Sequence, residues 1–240
     1  MKITSVNNEL VKETAKLLQR KYRKECFLLE GTKCIQEAID SGLEVERIFV
    51  LENSKDFVDF KNRIETTEAV LSKISSTESA PEAVAVAKKI KKVWSDDYKK
   101  VVLLENIKDA GNLGTILRTA CAFNIDAVVL YGDTVDLYNP KCVRSSVGNL
   151  WKIPVFKLDD LSRFSDFERV ATLPKSENTV WLKDYTPQEK VLVMFGTESL
   201  GLSQKLKDFA TKNVTIEMSD NVESLNLSIS AGVILYKLSF

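Results

Sequence analysis

Three short, uninterrupted apolar runs do most to limit the folds open to this 240-residue chain: Val-Val-Leu-Leu at 101–104, Ala-Val-Val-Leu at 127–130 and Val-Leu-Val-Met-Phe at 191–195. A strand with one wet face alternates polar and apolar residues. A run with no alternation is buried on both faces, which is the habit of a parallel sheet covered by helices. Helical stretches at 113–123, 206–210 and 226–238 lie between or after these runs. The second half therefore reads as an α/β layer fold with a mainly parallel sheet. Ligands of such sheets bind outside the carboxyl ends of the strands, so the loops after Leu104, Phe195 and Ile216 are the ones to read for chemistry.

The first part alternates helix and strand signals more weakly. Asn7 or Asn8 can cap a helix carrying Leu10, Val11, Thr14, Leu17 and Leu18. Strands are predicted at 27–30, 48–51 and 83–87, and helices at 32–39 and 57–64. This is a small αβα domain. The charge-dense stretch from Lys88 to Lys100 marks a boundary, giving domains 1–95 and 96–240. Two of the nine glycines precede residue 96 and seven follow it. Because glycine lets backbone approach a ligand closely, the second domain is the place to seek a cofactor.

Composition removes whole classes of chemistry. The chain has no histidine, which takes away the commonest general base and the commonest metal ligand together. Cys26, Cys34, Cys121 and Cys142 form no C-x-x-C, so no metal site is expected; Cys26 and Cys121 sit in apolar stretches and read as small core residues. The N-terminus has no signal-peptide pattern, and no apolar run approaches the roughly 18 residues of a membrane span. A cytoplasmic protein without membrane contact is expected. Lysine plus arginine and aspartate plus glutamate each total 34, so nucleic-acid binding has to come from a local patch.

The first loop runs through Asn112-Leu-Gly-Thr-Ile-Leu-Arg-Thr-Ala120. Asn112 is a suitable helix N-cap, and Arg118 lies six residues on, about 120° round the axis. A capped helix with one solvated arginine fits the same residues. The second is Gly196-Thr-Glu-Ser-Leu-Gly201, in which Glu198 sits between two glycines and Ser203 can cap the next helix; it has neither the lysine nor the spacing of a P-loop. The third runs from Ile216 through Met218 to Ser224-Leu-Asn226, where a helix starts; an N-cap beside a surface turn also accounts for it. Ile229, Val233, Ile234, Leu235 and Leu238 form an apolar stripe wide enough for a dimer interface as well as a core contact.

Taken together, the three loops resemble the SpoU (TrmH-type) family of RNA ribose 2′-O-methyltransferases. Asn112, Gly114, Arg118, Thr119 and Ala120 match its N-x-G-x-x-x-R-T-A signature. Gly196, Glu198 and Gly201 match G-x-E-x-x-G, and Ile216, Met218, Ser224, Leu225 and Asn226 match the I-x-M and S-L-N elements. Ser146-Val-Gly148 is similar to a further Ser-x-Gly element, and residues 8–12 and 27–31 resemble the ribosomal-protein-like RNA-binding domain often fused ahead of the enzyme. Two family prolines are replaced, by Ala110 and Glu217.

The resemblance implies a trefoil-knotted C-terminal domain that binds S-adenosylmethionine and works as a homodimer. It implies cofactor contacts from Gly196, Ile216, Met218, Leu225 and, more weakly, Thr172. It also implies a ribose site built on Arg118 with Asn112, Glu198, Ser224 and Asn226. A guanidinium is a poor general base, so Arg118 either works with a substrate phosphate or stabilises developing alkoxide. Residues 1–24 hold seven basic residues against two acidic ones. Lys12, Arg20, Lys21, Arg23 and Lys24, around Tyr22, are the expected RNA contacts. Ribosomal RNA, in particular 23S, is the expected substrate. A transfer RNA enzyme and a non-catalytic RNA-binding protein are the alternatives.

Overall fold

The computed structural model describes residues 1–197, 200–219 and 221–239. They form two compact units, Met1–Lys91 with Asp136–Trp151, and Lys92–Val135 with Lys152 onward.

In the first unit, β1 (Lys2–Ile3) leads to α1 (Glu9–Lys16), capped as expected by Asn8, whose side chain accepts the Leu10 N–H. There follow β2 (Cys26–Glu30), α2 (Thr32–Asp40), β3 (Val45–Leu51), β4 (Arg63–Thr66), α3 (Glu68–Ile74) and β5 (Ala83–Lys88). The sheet is mixed, in the order β1-β4-β3-β5-β2, and Leu28, Phe49, Leu71, Ile74 and Val84 fill its core. The helix expected at 57–64 is absent. Phe57 takes φ 53°, and the Arg63 guanidinium reaches back to the carbonyls of Ser54 and Asp56, closing a turn instead. The chain then enters β4, whose ladder with β3 supplies the backbone hydrogen bonds a helix would have used. The helix lies further on, in α3, where the Thr67 hydroxyl caps it.

The second unit begins with β6 (Lys100–Glu105), α4 (Ala110–Ala122) and β7 (Ala127–Tyr131). The chain then contributes Asp136–Trp151, including α5 (Pro140–Ser146), to the first unit. Three ties hold this segment. The buried Arg23 guanidinium donates to Asp136 at 2.7 Å; Tyr138 packs on Phe27 with ring centroids 4.7 Å apart; Arg144 pairs with the buried Glu30 carboxylate, which also accepts the Ser76 N–H at 2.6 Å. The second unit resumes with β8 (Val155–Lys157), β9 (Glu168–Thr172), β10 (Val180–Trp181), β11 (Val191–Phe195), α6 (Gln204–Phe209), β12 (Lys212–Thr215) and α7 (Leu227–Ser239). Its strands run in the order β10-β12-β9-β11-β6-β7-β8, and every pair is parallel. The three apolar runs are β6, β7 and β11, fully buried as their lack of alternation requires. Among the described residues no helix is long and apolar enough to cross a membrane.

Candidate active site

At the carboxyl ends of β9, β11 and β12 lies a cavity of about 400 Å³. Thr172 comes to it from the end of β9, Gly196 from just beyond β11, Ile216 and Met218 from beyond β12, and Ser224 and Leu225 from the turn into α7. Three stretches of the chain, around 172, 196 and 216–225, thus meet in one cleft. Its lining mixes apolar residues, among them Phe195, Leu202 and Leu227, with polar ones such as Thr172, Thr215 and Ser224. That combination suits a ligand with a flat apolar body and polar edges, and the volume is in the usual range for such sites.

The turn after β11 is tightly folded. Thr197 and Gly201 exchange both backbone hydrogen bonds, at 3.1 and 3.0 Å, and Gly201 takes φ 65°. The returning chain passes so close to Gly196 that a Cβ there would stand 2.0 Å from the Gly201 carbonyl carbon. Glycine at 196 is therefore a steric requirement of the loop. Glu198 lies outside the described residues.

The first and third motifs are joined directly. Asn226 caps α7, its Oδ1 accepting the Ser228 N–H at 2.9 Å, while its Nδ2 donates to Asn112 Oδ1 at 3.1 Å. Asn112 is not the cap of α4. Asp109 takes that place, accepting the Asn112 N–H at 2.8 Å, so the helix starts at Ala110 and the Asn112 side chain faces Asn226 instead. Arg118 is exposed on α4, which packs against α7, and is not among the residues lining the cavity. Among the described residues it makes no hydrogen bond or ion pair.

In the first unit Lys12, Arg20, Lys21 and Lys24 are exposed around Tyr22, with the Lys21 ammonium 4.9 Å from its ring centroid. Arg23 departs from the sequence reading. It is buried and spends its donors on Asp136 and on the Leu17 carbonyl, so it fastens the fold and has no free face for a phosphate. Cys26 and Cys121 are half-buried and not full core residues; Cys142 is the buried one. Burial, reinforced by Glu37, pushes the Cys34 thiol up to about 11, and burial also raises Cys26 and Cys121, so these thiols are poor nucleophiles at neutral pH.

Two features of the site escaped sequence reasoning. Leu173, Pro174 and Thr215 line the cavity beyond β9 and at the end of β12, strands too short and polar to announce themselves. The Glu105 carboxylate, buried at the end of β6, accepts the Ser203 N–H at 2.7 Å; its only sequence signal is an acid closing an apolar run.

Residues 99–236 match the model of the SpoU rRNA Methylase family, and residues 8–85 match the MRM3-like substrate binding domain. An uncharacterized tRNA/rRNA methyltransferase of Synechocystis sp. is 33% identical over 98% of this chain and 92% of its own length. The 23S rRNA (guanosine(2553)-2′-O)-methyltransferase RlmP of Bacillus subtilis is 30% identical over 98% of both chains. The crystal structure of an AdoMet-bound rRNA methyltransferase from Sinorhizobium meliloti superposes with a TM-score of 0.85 at 25% identity, covering 99% of this chain and 97% of that one.

Proposed function

This chain belongs to the SpoU rRNA methylase family, and from that premise we propose that it is an S-adenosylmethionine-dependent RNA 2′-O-ribose methyltransferase acting on 23S ribosomal RNA. The observation that carries the proposal is the shared cavity. Gly196, Ile216, Met218, Leu225 and Thr172, the cofactor contacts that the resemblance implies, line one cleft with Ser224. The cofactor supplies a methyl group on a positively charged sulfur. The backbone of the turns after β11 and β12 holds the adenosine end, with the apolar residues of the lining against it. The first unit, Met1–Lys91 with Asp136–Trp151, holds the RNA and the second unit carries out the transfer.

For the ribose, the linked Asn112–Asn226 pair, which is not itself part of the lining but has Asn226 between the lining residues Leu225 and Leu227, orders the hydroxyl with Ser224 and Glu198. Arg118 grips the neighbouring phosphate and stabilises negative charge developing on the 2′-oxygen. Because Arg118 is exposed and outside the cavity lining, a second copy of the chain completes each site. The outer face of α7 supports this: Ile229, Val233 and Tyr236 are 55%, 41% and 59% exposed, while Ile234, Leu235 and Leu238 are buried. The trefoil knot belongs to the same reading, and the placement of β9 between β12 and β11 is consistent with it. The exposed lysines and arginine around Tyr22 recruit RNA by charge and stacking. The work is placed in the cytoplasm, with the ribosomal RNA.

The test is transfer of tritiated methyl to 23S rRNA fragments and to tRNA, followed by nucleoside digestion. A 2′-O-methylnucleoside from the rRNA is expected, with a loss on the order of 100-fold or more for Arg118→Ala. Methylation of tRNA alone would move the substrate, and absence of any S-adenosylmethionine binding in calorimetry would reduce the protein to an RNA binder.

A further inference from the structure

We propose that Glu105 is a positioning residue that holds the cofactor turn after β11 in its binding shape. The inference rests on the cavity being the S-adenosylmethionine site. β6 and β11 are parallel neighbours in register, Leu104 beside Phe195, so the residues that follow this pair are Glu105, the last of β6, and Gly196, the first beyond β11. Beyond Gly196, Thr197 and Gly201 pair with each other, and the chain at Gly201 and Leu202 passes close over Gly196. Among the described residues, Leu202 of the return limb belongs to the core cluster that holds Leu103 and Met194, and a hydrogen bond fastens the limb to the neighbouring strand. The tie is the Glu105 carboxylate, which captures the Ser203 N–H at 2.7 Å, two residues past Gly201.

The character of the bond fits the task. Glu105 is 3% exposed, so the carboxylate is largely out of water, where a charge-assisted hydrogen bond is stronger and its loss more costly. It does not line the cavity, whereas Gly196, Thr197, Leu200, Gly201 and Leu202 do; Glu105 acts through them. The next residue works the same way on the other side. Asn106, at φ 52°, presents its Oδ1 to the Asp133 N–H at 2.8 Å and so fastens the turn after β7. The end of β6 thus pins two loops at the carboxyl edge of the sheet, one of them the cofactor turn.

The experiment is calorimetric titration of the full chain with S-adenosylmethionine, with methyl transfer measured at limiting and saturating cofactor. Glu105→Ala is expected to weaken cofactor binding tenfold or more, to raise the cofactor KM in step and to leave kcat within about threefold. Glu105→Gln, which keeps an acceptor for the Ser203 N–H, is expected to restore most of the affinity. Hydrogen exchange at 196–203 should rise in the alanine variant while that at 26–30 stays unchanged. If Glu105→Ala does not fold, Ser203→Pro removes the same bond from its other end, with Ser203→Ala, which loses only the hydroxyl cap of α6, as its control; φ at Ser203 is −61°, which suits proline, and a loss beyond that of the control is expected. Wild-type affinity in Glu105→Ala, Ser203→Pro no weaker than Ser203→Ala, or Glu105→Gln no better than Glu105→Ala, overturns this inference. Failure of the wild type to bind overturns the proposed function itself.

Discussion

Replacing Gly196 by alanine is the sharpest test of how the cavity is built. The added methyl would stand 2.0 Å from the Gly201 carbonyl carbon, 2.2 Å from its oxygen and 2.2 Å from the Leu202 nitrogen. Carbon atoms need about 3.5 Å, so the returning chain must retreat by roughly 1.5 Å. All three neighbours are backbone, and no rotamer change relieves the contact. The retreat breaks the two Thr197–Gly201 hydrogen bonds, worth about 0.5–1.5 kcal/mol each, and the Glu105–Ser203 bond, worth about 1.5–3 kcal/mol because it is charged. If half of this falls on the bound state, cofactor affinity drops by about 1–3 kcal/mol, or roughly five- to 150-fold. Calorimetric titration reads the drop directly. The matched control is Gly232→Ala in α7, where the new methyl meets only Thr119 Cγ2 at 3.9 Å. That change should stabilise by about 0.5–1 kcal/mol through helix propensity. A folded Gly196→Ala protein that binds S-adenosylmethionine within threefold of wild type would refute the steric argument.

Three further outcomes are expected. Arg23→Met leaves Asp136 without its partner in a buried setting and should cost about 3–5 kcal/mol in denaturant unfolding, whereas Lys21→Ala should leave stability unchanged and make the salt dependence of RNA binding shallower by about one unit. Ala110→Pro puts proline at the first position of α4, after an Asp109 already in extended backbone (φ −84°, ψ 119°), and should raise the melting temperature by about 1–4 °C in calorimetry. The Cys34 thiol, raised from 9.0 to about 11 by burial and by Glu37, stays protonated in the fold while the unfolded chain ionises. Its contribution to stability is therefore full below pH 9 and lost as pH rises toward 11; melting curves between pH 8 and 10.5 should show a decline that Cys34→Ala reduces, and iodoacetamide at pH 8 should not label it in the native protein.

What sequence revealed depended on how local the deciding forces were. The strands β6, β7 and β11 were plain because burial on both faces writes itself as an unbroken apolar run. Strand β9, Glu168-Arg-Val-Ala-Thr172, has charged residues at its start, and its pairing with β11 and β12 on either side is a property of the sheet. Residues 57–64 carry helical spacing, yet Phe57 and Arg63 settle them through a left-handed residue and two side-chain bonds to carbonyls. Arg23 looked like one more cation in a basic stretch; its burial depends on Asp136, 113 positions away. The same limit hid Glu105, whose partner at Ser203 is 98 positions on. Gly196, Ile216, Met218 and Leu225 were named through the resemblance of three motifs taken together, since each motif alone also reads as an ordinary turn or cap; that they line one cavity is a property of the fold.

The excursion of Asp136–Trp151 into the first unit makes the proposed RNA-holding module discontinuous in the gene. A fragment ending at residue 95 would lack the wall that α5 gives to β2, and would leave the Arg23 guanidinium and the Glu30 carboxylate bare in the places where Asp136 and Arg144 now meet them. Grafting RNA preference from one relative to another therefore takes two splices, and a chimera made with only the first should come out of the cell as aggregate.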